Sequence, residues 1–332
     1  MKKSNLVTLR DIAERTGYTV NTVSRALKHR EDIAKSTIEY ICSVAEDMGY
    51  INDSIASSMR TGRTGTIAVI LADITNPHFA IMVREIEQYA SHYEYTVFVL
   101  NTNEDKDQEL QAIKTALGKK VDGFIICPCP DSQSNLEFLR KTGKPYVLVG
   151  RKVEGHPSVI QDDVKAGYLA TKYMIEHYNR KRILFINAEA SISCSVERYQ
   201  GYRMALEEAG LPLSESLVIE TPTKSCEFSS VLTTLEARHI TFDAILAFSD
   251  LFACEILNAL SARSVRVPED IALIGIDNLR EKLSYLPILD TVGVHGIGTN
   301  AVALELLMKI INEDTAAAPS ETVLDVKLFP AT

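Results

Sequence analysis

The sequence predicts a small all-α N-terminal domain followed by a larger α/β domain with two parallel sheets. In the first fifty residues, apolar side chains recur at the three- and four-residue spacing of short helices. From residue 66 onward, short apolar runs alternate with helical patterns, which is typical of parallel strands covered by helices on both faces. The length of 332 residues gives enough chain for two or three domains.

Three helices are predicted in the N-terminal domain. Each is preceded by a residue that can cap it, namely Thr8, Thr19 and Ser36. Gly17 and Gly49 are expected to end the first and third helices, because glycine adopts the left-handed conformation at little cost. Two short helices joined by a tight glycine turn and braced by a third form the helix-turn-helix plan.

The second helix has a polar outer face that suits DNA. In a helix-turn-helix domain this helix enters the major groove, where Asn can pair with adenine and Arg with guanine. Short hydroxyl side chains are suited to phosphate oxygens. The side chains in question are Asn21, Arg25 and Lys28 on the outer face, with the hydroxyls of Thr8, Thr22 and Ser24. From spacing alone, an ordinary three-helix bundle with a solvated polar face is the alternative.

Charge is distributed unevenly along the chain. The whole protein has a net charge of −9 at pH 7, with 35 Lys and Arg against 44 Asp and Glu. Residues 1–63 contain ten basic and eight acidic residues, or +2, so the remainder carries −11. This asymmetry indicates a small DNA-facing domain on an acidic body.

The segments VTLRDIAERTGYTVNTVSRALK and AEDMGY resemble the headpiece of the LacI/GalR family of bacterial transcription regulators. The resemblance implies that Val20 and Asn21 read bases at the start of the second helix, and that Arg25 contacts DNA from its middle. With the N-cap residue Thr19, they complete the predicted DNA-binding set of the headpiece. The headpiece is expected to span residues 1–49.

Residues 50–63, YINDSIASSMRTGR, are predicted to form the hinge segment. The resemblance implies a short hinge helix that inserts apolar side chains into the minor groove when a dimer binds its operator. Ala56 and Met59 are the predicted DNA contacts here. Four positions depart from the family pattern: Asn52, Asp53, Ser57 and Met59. The departures leave open how strongly the hinge bends DNA.

The core, residues 64–332, resembles the family's two-lobed periplasmic-binding-protein-like fold of type I. The resemblance rests on TGTIAVILADITNPHF, VDGFIICP, ERYQGYRMAL, AILAFSD and VPEDIALIGIDN, in the family's order and spacing. It implies a first lobe of about 64–162 plus 295–326 and a second of about 163–291, with three crossings between them. Ligands of such folds bind at the carboxyl ends of the strands.

The resemblance also implies a set of effector-binding residues in the interlobe cleft. They are His78, Phe79, Cys129, Arg151, Ile192, Cys194, Val196, Arg198, Ser249 and Asp277. Asp277 is the expected carboxylate acceptor, and Phe79 could equally belong to the core. Of the neighbouring pair that ends AILAFSD, Ser249 is expected to contact the ligand and Asp250 to cap the helix. Asn76 is expected to cap the helix that Pro77 begins.

A sugar or sugar derivative is the leading effector that the resemblance implies. The apolar residues before Arg198 and the absence of tryptophan indicate a site with fewer polar groups than a hexose requires. Arg151 could meet a carboxylate or phosphate through its planar fork. A sugar acid, a sugar phosphate, a nucleobase-like ligand or control by a partner protein are therefore alternatives.

Other classes of protein find little support in the sequence. It contains no Walker loop, nucleophile elbow or HExxH motif, so neither an enzyme nor a cofactor is expected. No apolar run of about 18 residues and no signal-peptide core occur, and the six cysteines lack zinc-site spacing. We expect a cytoplasmic, ligand-responsive repressor that binds a near-palindromic operator as a homodimer.

Overall fold

The computed structural model describes residues 7–51, 62–223, 227–313 and 320–331. The chain divides into two compact units, Met1–Thr64 and Gly65–Thr332. The predicted hinge contacts Ala56 and Met59, and the atypical residues Asn52, Asp53 and Ser57, lie outside the described residues.

The N-terminal unit contains three helices, α1 (Leu9–Thr16), α2 (Val20–Ala26) and α3 (Lys35–Asp47). Six apolar side chains bury one face of each helix against the other two: Ile12, Ala13, Val23, Ala26, Ile41 and Ala45. Gly17 ends α1 in the left-handed conformation, as predicted. The predicted cap of α3 is wrong: Ala34 is the N-cap residue and makes no side-chain hydrogen bond, and Ser36 lies inside the first turn.

The second unit alternates strands and helices. Its described strands are β1 (Thr66–Leu71), β2 (Thr96–Asn101), β3 (Gly123–Ile126), β4 (Tyr146–Val149), β5 (Ser158–Gln161), β6 (Ile183–Ala188), β7 (Val218–Thr221), β8 (Ala244–Ala247), β9 (Ala272–Ile276), β10 (Asp290–Val294), β11 (Glu321–Leu324) and β12 (Val326–Phe329). Its described α-helices are α4 (Pro77–Ser91), α5 (Lys106–Gly118), α6 (Gln133–Lys141), α7 (Asp163–Glu176), α8 (Ser193–Glu208), α9 (Phe228–Ala237), α10 (Asp250–Ser261) and α11 (Thr299–Glu313).

The first lobe is built on a parallel sheet with the strand order β11-β5-β4-β3-β1-β2. Helices α4 and α11 cover one face, where Ile86 and Leu307 pack against strand residues such as Val69. Helices α5 and α6 cover the other face through Ile113 and Leu136. Because both faces are buried, the central strands β1, β3 and β4 read as nearly continuous apolar runs.

The second lobe repeats this plan with the strand order β12-β10-β9-β8-β6-β7. Its pairs are parallel except for β10 and β12, which run antiparallel. Helices α9 and α10 bury one face through Leu232 and Ile256, and α7 and α8 bury the other through Met174 and Tyr202. The predicted fold class, a helical N-terminal domain and a two-sheet α/β core, is confirmed.

The chain passes between the two sheets after β5, after β10 and between β11 and β12. The two lobes are therefore joined by three chain segments, and the cleft lies between them. The expected bounds of the second lobe omit β12, whose residues Val326–Phe329 add an edge strand to that sheet. No helix in the described part of the chain is long and apolar enough to cross a membrane.

Candidate functional site

The exposed face of α2 carries the side chains predicted to read DNA. Asn21 and Arg25 are exposed on α2, and Val20 is 44% exposed although it is apolar. Lys28 is also exposed, but it follows the end of α2 by two residues instead of lying on the helix as predicted. Val23 and Ala26, on the opposite face, are fully buried. The helix therefore presents its polar stripe and one apolar side chain to solvent, as the spacing predicts.

Several hydroxyls predicted to contact DNA also hold the helix ends. Thr8 forms a capping box with Asp11: its hydroxyl donates to the carboxylate at 2.7 Å and accepts from the Asp11 amide at 3.4 Å. The Thr19 hydroxyl accepts from the Thr22 amide at 3.2 Å and lies 2.9 Å from the Thr22 hydroxyl. Ser24 is half-buried. These contacts begin α1 and α2 at fixed residues, so the outer face of α2 has a defined orientation in its own unit.

Arg25 is paired within the headpiece. Its guanidinium contacts the Asp32 carboxylate, and each side chain is about half exposed, at 47% and 48%. The ion pair lies in solvent, so it holds the arginine only weakly.

In the core, a cavity of about 560 Å³ lies between the lobes; we call it the cleft cavity. The first lobe contributes residues that follow β1, β2, β3 and β4, the end of β5 and the start of α11. The second lobe contributes α8 and residues that follow β7, β8 and β9. Its volume falls in the range of roughly 300–1,000 Å³ that is usual for small-molecule sites.

Arg198 organises the second-lobe wall of the cleft cavity. Its Nε donates to Asp163 Oδ1 at 2.7 Å, and its Nη2 donates to Asp277 Oδ1 at 3.3 Å. Another guanidinium nitrogen donates to the carbonyl oxygen of Phe248, and the guanidinium carbon lies 4.5 Å from the centre of the Phe248 ring. The buried Arg198 guanidinium thus donates to two buried carboxylates, and these contacts fix the orientation of the guanidinium.

Asp277 sits in a strained turn at the cleft. Its φ is 121° and that of Asn278 is 52°, both in the region that favours glycine. Its Oδ2 lies 3.9 Å from Nδ1 of His78, across the cleft in the first lobe. Burial raises the pKa of Asp277 to about 7. Burial, and then the nearby Arg198 guanidinium, lower the pKa of His78 to about 4, so this imidazole is neutral at pH 7.

The first-lobe wall contains a second arginine. Arg151 donates twice to Glu104, with Nη1–Oε2 at 2.7 Å and Nη2–Oε1 at 2.6 Å, and once to the carbonyl oxygen of Pro128 at 3.0 Å. Both side chains are buried, at 9% and 8% exposure. The fork that was predicted to be available for a ligand carboxylate or phosphate is therefore already occupied.

The other predicted effector contacts divide into two groups. Phe79, Cys194 and Ser249 line the cleft cavity together with His78, Arg151, Arg198 and Asp277. Phe79 is also part of the first-lobe core, so its two expected roles coexist. Burial raises the pKa of the Cys194 thiol to about 12, so it is a neutral, weakly polar wall.

Three predicted contacts lie elsewhere. Cys129 and Ile192 line a separate cavity of about 230 Å³, which shares Arg151 with the cleft cavity. Val196 is 49% exposed on α8 and does not line either cavity. Helical periodicity accounts for this, because Cys194 and Arg198 lie four residues apart on one face and Val196 lies between them.

The structure changes the expected division of roles between Ser249 and Asp250. Ser249 caps α10 by accepting a hydrogen bond from the Phe252 amide at 3.3 Å, although it also lines the cavity. Asp250 is buried, where its carboxylate accepts from the Thr291 hydroxyl at 2.6 Å and the Leu279 amide at 2.7 Å. The predicted cap role of Asp250 is wrong. The predicted cap at Asn76 is confirmed by its side-chain bond to the His78 amide.

Sequence reasoning missed several lining residues. Glu104 follows β2 and Thr223 follows β7, and each occupies the strand-end position that marked the predicted residues. Asp163 does not line the cavity but holds Arg198, and it was also missed because an acidic residue at the start of α7 looks like ordinary helix capping. Phe248 and Phe252 flank the predicted Ser249 and supply apolar wall. Among the described residues, no group of three or more His, Cys, Asp and Glu could hold a metal ion.

Both parts of the chain match known protein families. Residues 8–53 match the family described as bacterial regulatory proteins, lacI family. Residues 64–329 match the family described as periplasmic binding proteins and sugar binding domain of LacI family. The catabolite control protein A of Priestia megaterium is 30% identical over 313 residues, which cover 93% of this chain and 94% of that protein. The HTH-type transcriptional repressor PurR of Pasteurella multocida is 28% identical over 311 residues, covering 93% of each.

Solved structures share the fold over almost the whole chain. The transcriptional regulator CelR in complex with cellobiose aligns with a TM-score of 0.70 and 26% identity, covering 97% of this chain and 98% of that chain. The lac repressor dimer bound to operator and the anti-inducer ONPF aligns with a TM-score of 0.82, covering 98% of each chain. Its identity of 19% supports the fold alone.

Proposed function

Because the chain belongs to the lacI family of bacterial regulatory proteins and is a DNA-binding transcriptional regulator, we propose that it is a repressor controlled by a small molecule in the cleft cavity. The observation that carries this proposal is the cavity itself, whose wall comes from both lobes. A ligand that touches both walls binds the open and closed lobes with different affinity, so it shifts their populations. The similarity to PurR repressors supports repression as the effect on transcription.

The DNA-binding part of the proposal assigns base contacts to Val20, Asn21 and Arg25. Two headpieces of a homodimer would place two copies of α2 in successive major grooves of a near-palindromic operator in the cytoplasm. Lys28 and the hydroxyls of Thr8, Thr19, Thr22 and Ser24 would contact phosphates, so affinity should fall steeply with salt. The hinge, with Ala56 and Met59, is assigned to the minor groove between the half-sites.

Exposed apolar side chains support dimerisation through the core. Strand β2 lies at one edge of the first sheet, and Val99 on it is 37% exposed. Tyr89, in the last turn of the neighbouring helix α4, and Tyr93, two residues after its end, are 38% and 43% exposed. Aromatic side chains beside an open strand edge are common in subunit interfaces. The operator-bound lac repressor, which shares this fold, is a dimer.

The charges in the cleft cavity favour a neutral, hydroxyl-bearing effector such as a sugar. Within the described lining, four carboxylates face two guanidinium groups. Arg151 is already paired with Glu104, and Arg198 with Asp163 and Asp277. An anionic sugar acid or phosphate would meet excess negative charge, whereas hydroxyl groups can donate to the carboxylates. The sugar-binding family description and the cellobiose complex of CelR agree with this choice.

The DNA assignment can be tested with two variants that break the same ion pair. Arg25→Ala and Asp32→Ala both remove the Arg25–Asp32 contact, but only the first removes the predicted DNA-reading group. With an operator found by selecting genomic fragments on the full-length protein, Arg25→Ala should weaken specific binding at least about tenfold. Asp32→Ala should bind at least as well as the wild type. Equal binding by all three proteins would contradict the assignment.

The ligand assignment can be tested by a thermal-shift panel on the full-length protein. Neutral mono- and disaccharides would be compared with sugar acids, sugar phosphates and purines. A ligand present at 100 times its Kd adds about 2.7 kcal/mol of stability, which gives a clear shift. We expect hits among the neutral sugars that Asp277→Ala abolishes while DNA binding persists. Hits confined to acids or purines would name a different effector class, and silence would favour control by a partner protein.

A further inference from the structure

We propose that Glu104 determines the specificity of the cleft cavity by occupying Arg151, so that ligands carrying an anionic group are excluded. The inference deepens the proposed function and rests on it, because it assigns one residue the selection of ligand charge. It predicts that one substitution converts the cavity from neutral to anionic ligands.

The geometry of the pair supports this role. Both nitrogens of the guanidinium fork meet both carboxylate oxygens, at 2.7 and 2.6 Å, and the Pro128 carbonyl accepts a further bond at 3.0 Å. This bidentate arrangement is the one that a ligand carboxylate or phosphate would make with the same arginine. Glu104 and an anionic ligand therefore compete for one fork, and the tethered carboxylate has the advantage of being already in place.

The backbone shows that Glu104 is held in place for its side chain. Asn103 and Glu104 have φ values of 52° and 54°, in the left-handed region that favours glycine. Asn tolerates this conformation better than Glu, which gains nothing from it locally. Strained backbone at a ligand site persists only where surrounding contacts maintain it. Here the contacts are a hydrogen bond from the Glu104 amide to the Ala72 carbonyl oxygen at 3.2 Å, the side-chain pair with Arg151, and a hydrogen bond from the Thr223 hydroxyl at 3.4 Å, which crosses the cleft from the second lobe.

Arg151 is well placed to receive an anion once it is released. Its side chain is 9% exposed, so an unpaired charge there would be poorly hydrated. The residue lines both the cleft cavity and the adjoining cavity of about 230 Å³. Removing the Glu104 charge leaves a buried, pre-oriented guanidinium at the boundary of two cavities, which is the chemistry of an anion site.

The test compares Glu104→Gln with Glu255→Gln in the full-length protein. Glu255 is another carboxylate of the cleft wall, and it is exposed on α10. Each variant removes one negative charge from the cavity, but only Glu104→Gln releases Arg151. Binding of D-glucose, D-glucuronate and inorganic phosphate would be measured by calorimetry and thermal shift. The two sugars differ in charge on a similar skeleton, so the comparison isolates the anionic group.

We expect Glu104→Gln to bind glucuronate or phosphate at least about tenfold more tightly than the wild type and Glu255→Gln do. The gain should shrink with added salt and vanish in the double variant Glu104→Gln/Arg151→Gln. An equal gain in both single variants would assign the effect to net charge, and a folded Glu104→Gln protein without any gain would overturn the proposal. If Glu104→Gln does not fold, the test uses Glu104→Asp, which draws the carboxylate back by one methylene. Glu104→Asp must then bind glucuronate or phosphate more tightly than the wild type does, or the proposal fails.

These results separate this inference from the proposed function. A wild-type protein that ignores all neutral sugars would remove the sugar assignment. The anion gain of Glu104→Gln depends only on Arg151 and would still decide the role of Glu104.

Discussion

Gly201 lies where helices α7 and α8 cross, and replacing it with alanine should force the two helices apart. A Cβ atom at this position would lie 1.9 Å from the Val164 carbonyl oxygen and 2.5 Å from the Tyr168 amide nitrogen. Both are backbone atoms of α7, so no flexible side chain can move aside. Gly167 makes the reciprocal approach, since its Cβ would lie 2.1 Å from the carbonyl oxygen of Arg198.

The expected loss of stability follows from this geometry. Because real Cβ contacts stay above 3.0 Å, α8 must move away from α7 by about 1 Å or more at this point. Overpacking of a well-packed core typically costs about 1–3 kcal/mol, and a clash with backbone belongs at the upper end. Alanine recovers about 1 kcal/mol of helix propensity. The net loss should be about 2 kcal/mol, or roughly 4–8 °C in Tm for a domain of this size.

The same movement should reach the cleft. Arg198 lies one turn before Gly201 on α8, and its 2.7 Å bond to Asp163 joins the two helices beside the crossing. Separation of the helices lengthens this bond, so Gly201→Ala should also weaken the ligand response.

The assay is thermal unfolding of the full-length protein followed by calorimetry, with Gly118→Ala as the matched control. Gly118 is the last residue of α5, is exposed, and a Cβ there would meet no atom within 4 Å. Gly118→Ala should leave the core Tm unchanged or raise it slightly through helix propensity. If Gly201→Ala is as stable as Gly118→Ala, the close crossing does not constrain the core.

Three further changes have defined outcomes. Ile41→Ala should destabilise the headpiece by about 2–5 kcal/mol through a cavity, abolishing operator binding while the core Tm stays constant in calorimetry. Asp163→Asn should cost about 3 kcal/mol or more in urea unfolding, because it leaves the buried Arg198 with one carboxylate instead of two; a cost below about 1 kcal/mol would contradict this. Burial raises the pKa of Asp277 to about 7, so its contribution to stability is present at low pH and is lost as the pH rises from about 4 to about 7. Asp277→Asn should remove that loss. The lowered pKa of His78 makes stability rise with pH instead, and this effect is present in both proteins. If the urea midpoints of the two proteins depend on pH in the same way, the assignment is refuted.

Much of the fold could be predicted because the buried strands are recognisable in the sequence as apolar runs. A strand covered on both faces must be apolar throughout, so runs such as TIAVIL and IALIGI are visible without any partner. Strands β5, β10, β11 and β12 do not stand out as apolar runs in the sequence, because they are four or five residues long and carry polar positions. Their pairing is decided by the chain crossings rather than by their own composition. The predicted cap at Ser36 is wrong because the helix begins at Lys35, two residues before the start that a cap at Ser36 would give.

The site was predictable in position but not in chemistry. The family resemblance implies one cleft for Asp277 and Ser249, and both residues line the same cavity at the carboxyl ends of the strands. What sequence spacing does not reveal is which charges are already paired. Arg151 and Glu104 are 47 residues apart, and their bidentate contact turns an expected anion receptor into part of the wall. Tertiary pairing, rather than residue type alone, decides which charged groups of the cavity wall are left unpaired.

Under the proposed function, lobe closure would depend on the strength of the contacts that join the two lobes. Lys282 of the second lobe contacts Glu85 of α4 in the first lobe, and the side chains are 36% and 17% exposed. The His78 imidazole, which is neutral at pH 7, lies 3.9 Å from the Asp277 carboxylate, so this contact is weaker than an ion pair. Partly exposed ion pairs contribute about 1 kcal/mol or less each. Under the proposed function, a ligand that bridges Asp277 and the first-lobe wall needs to outweigh only ties of this size, and the coupling of typical allosteric sites, about 1–3 kcal/mol, is as large or larger.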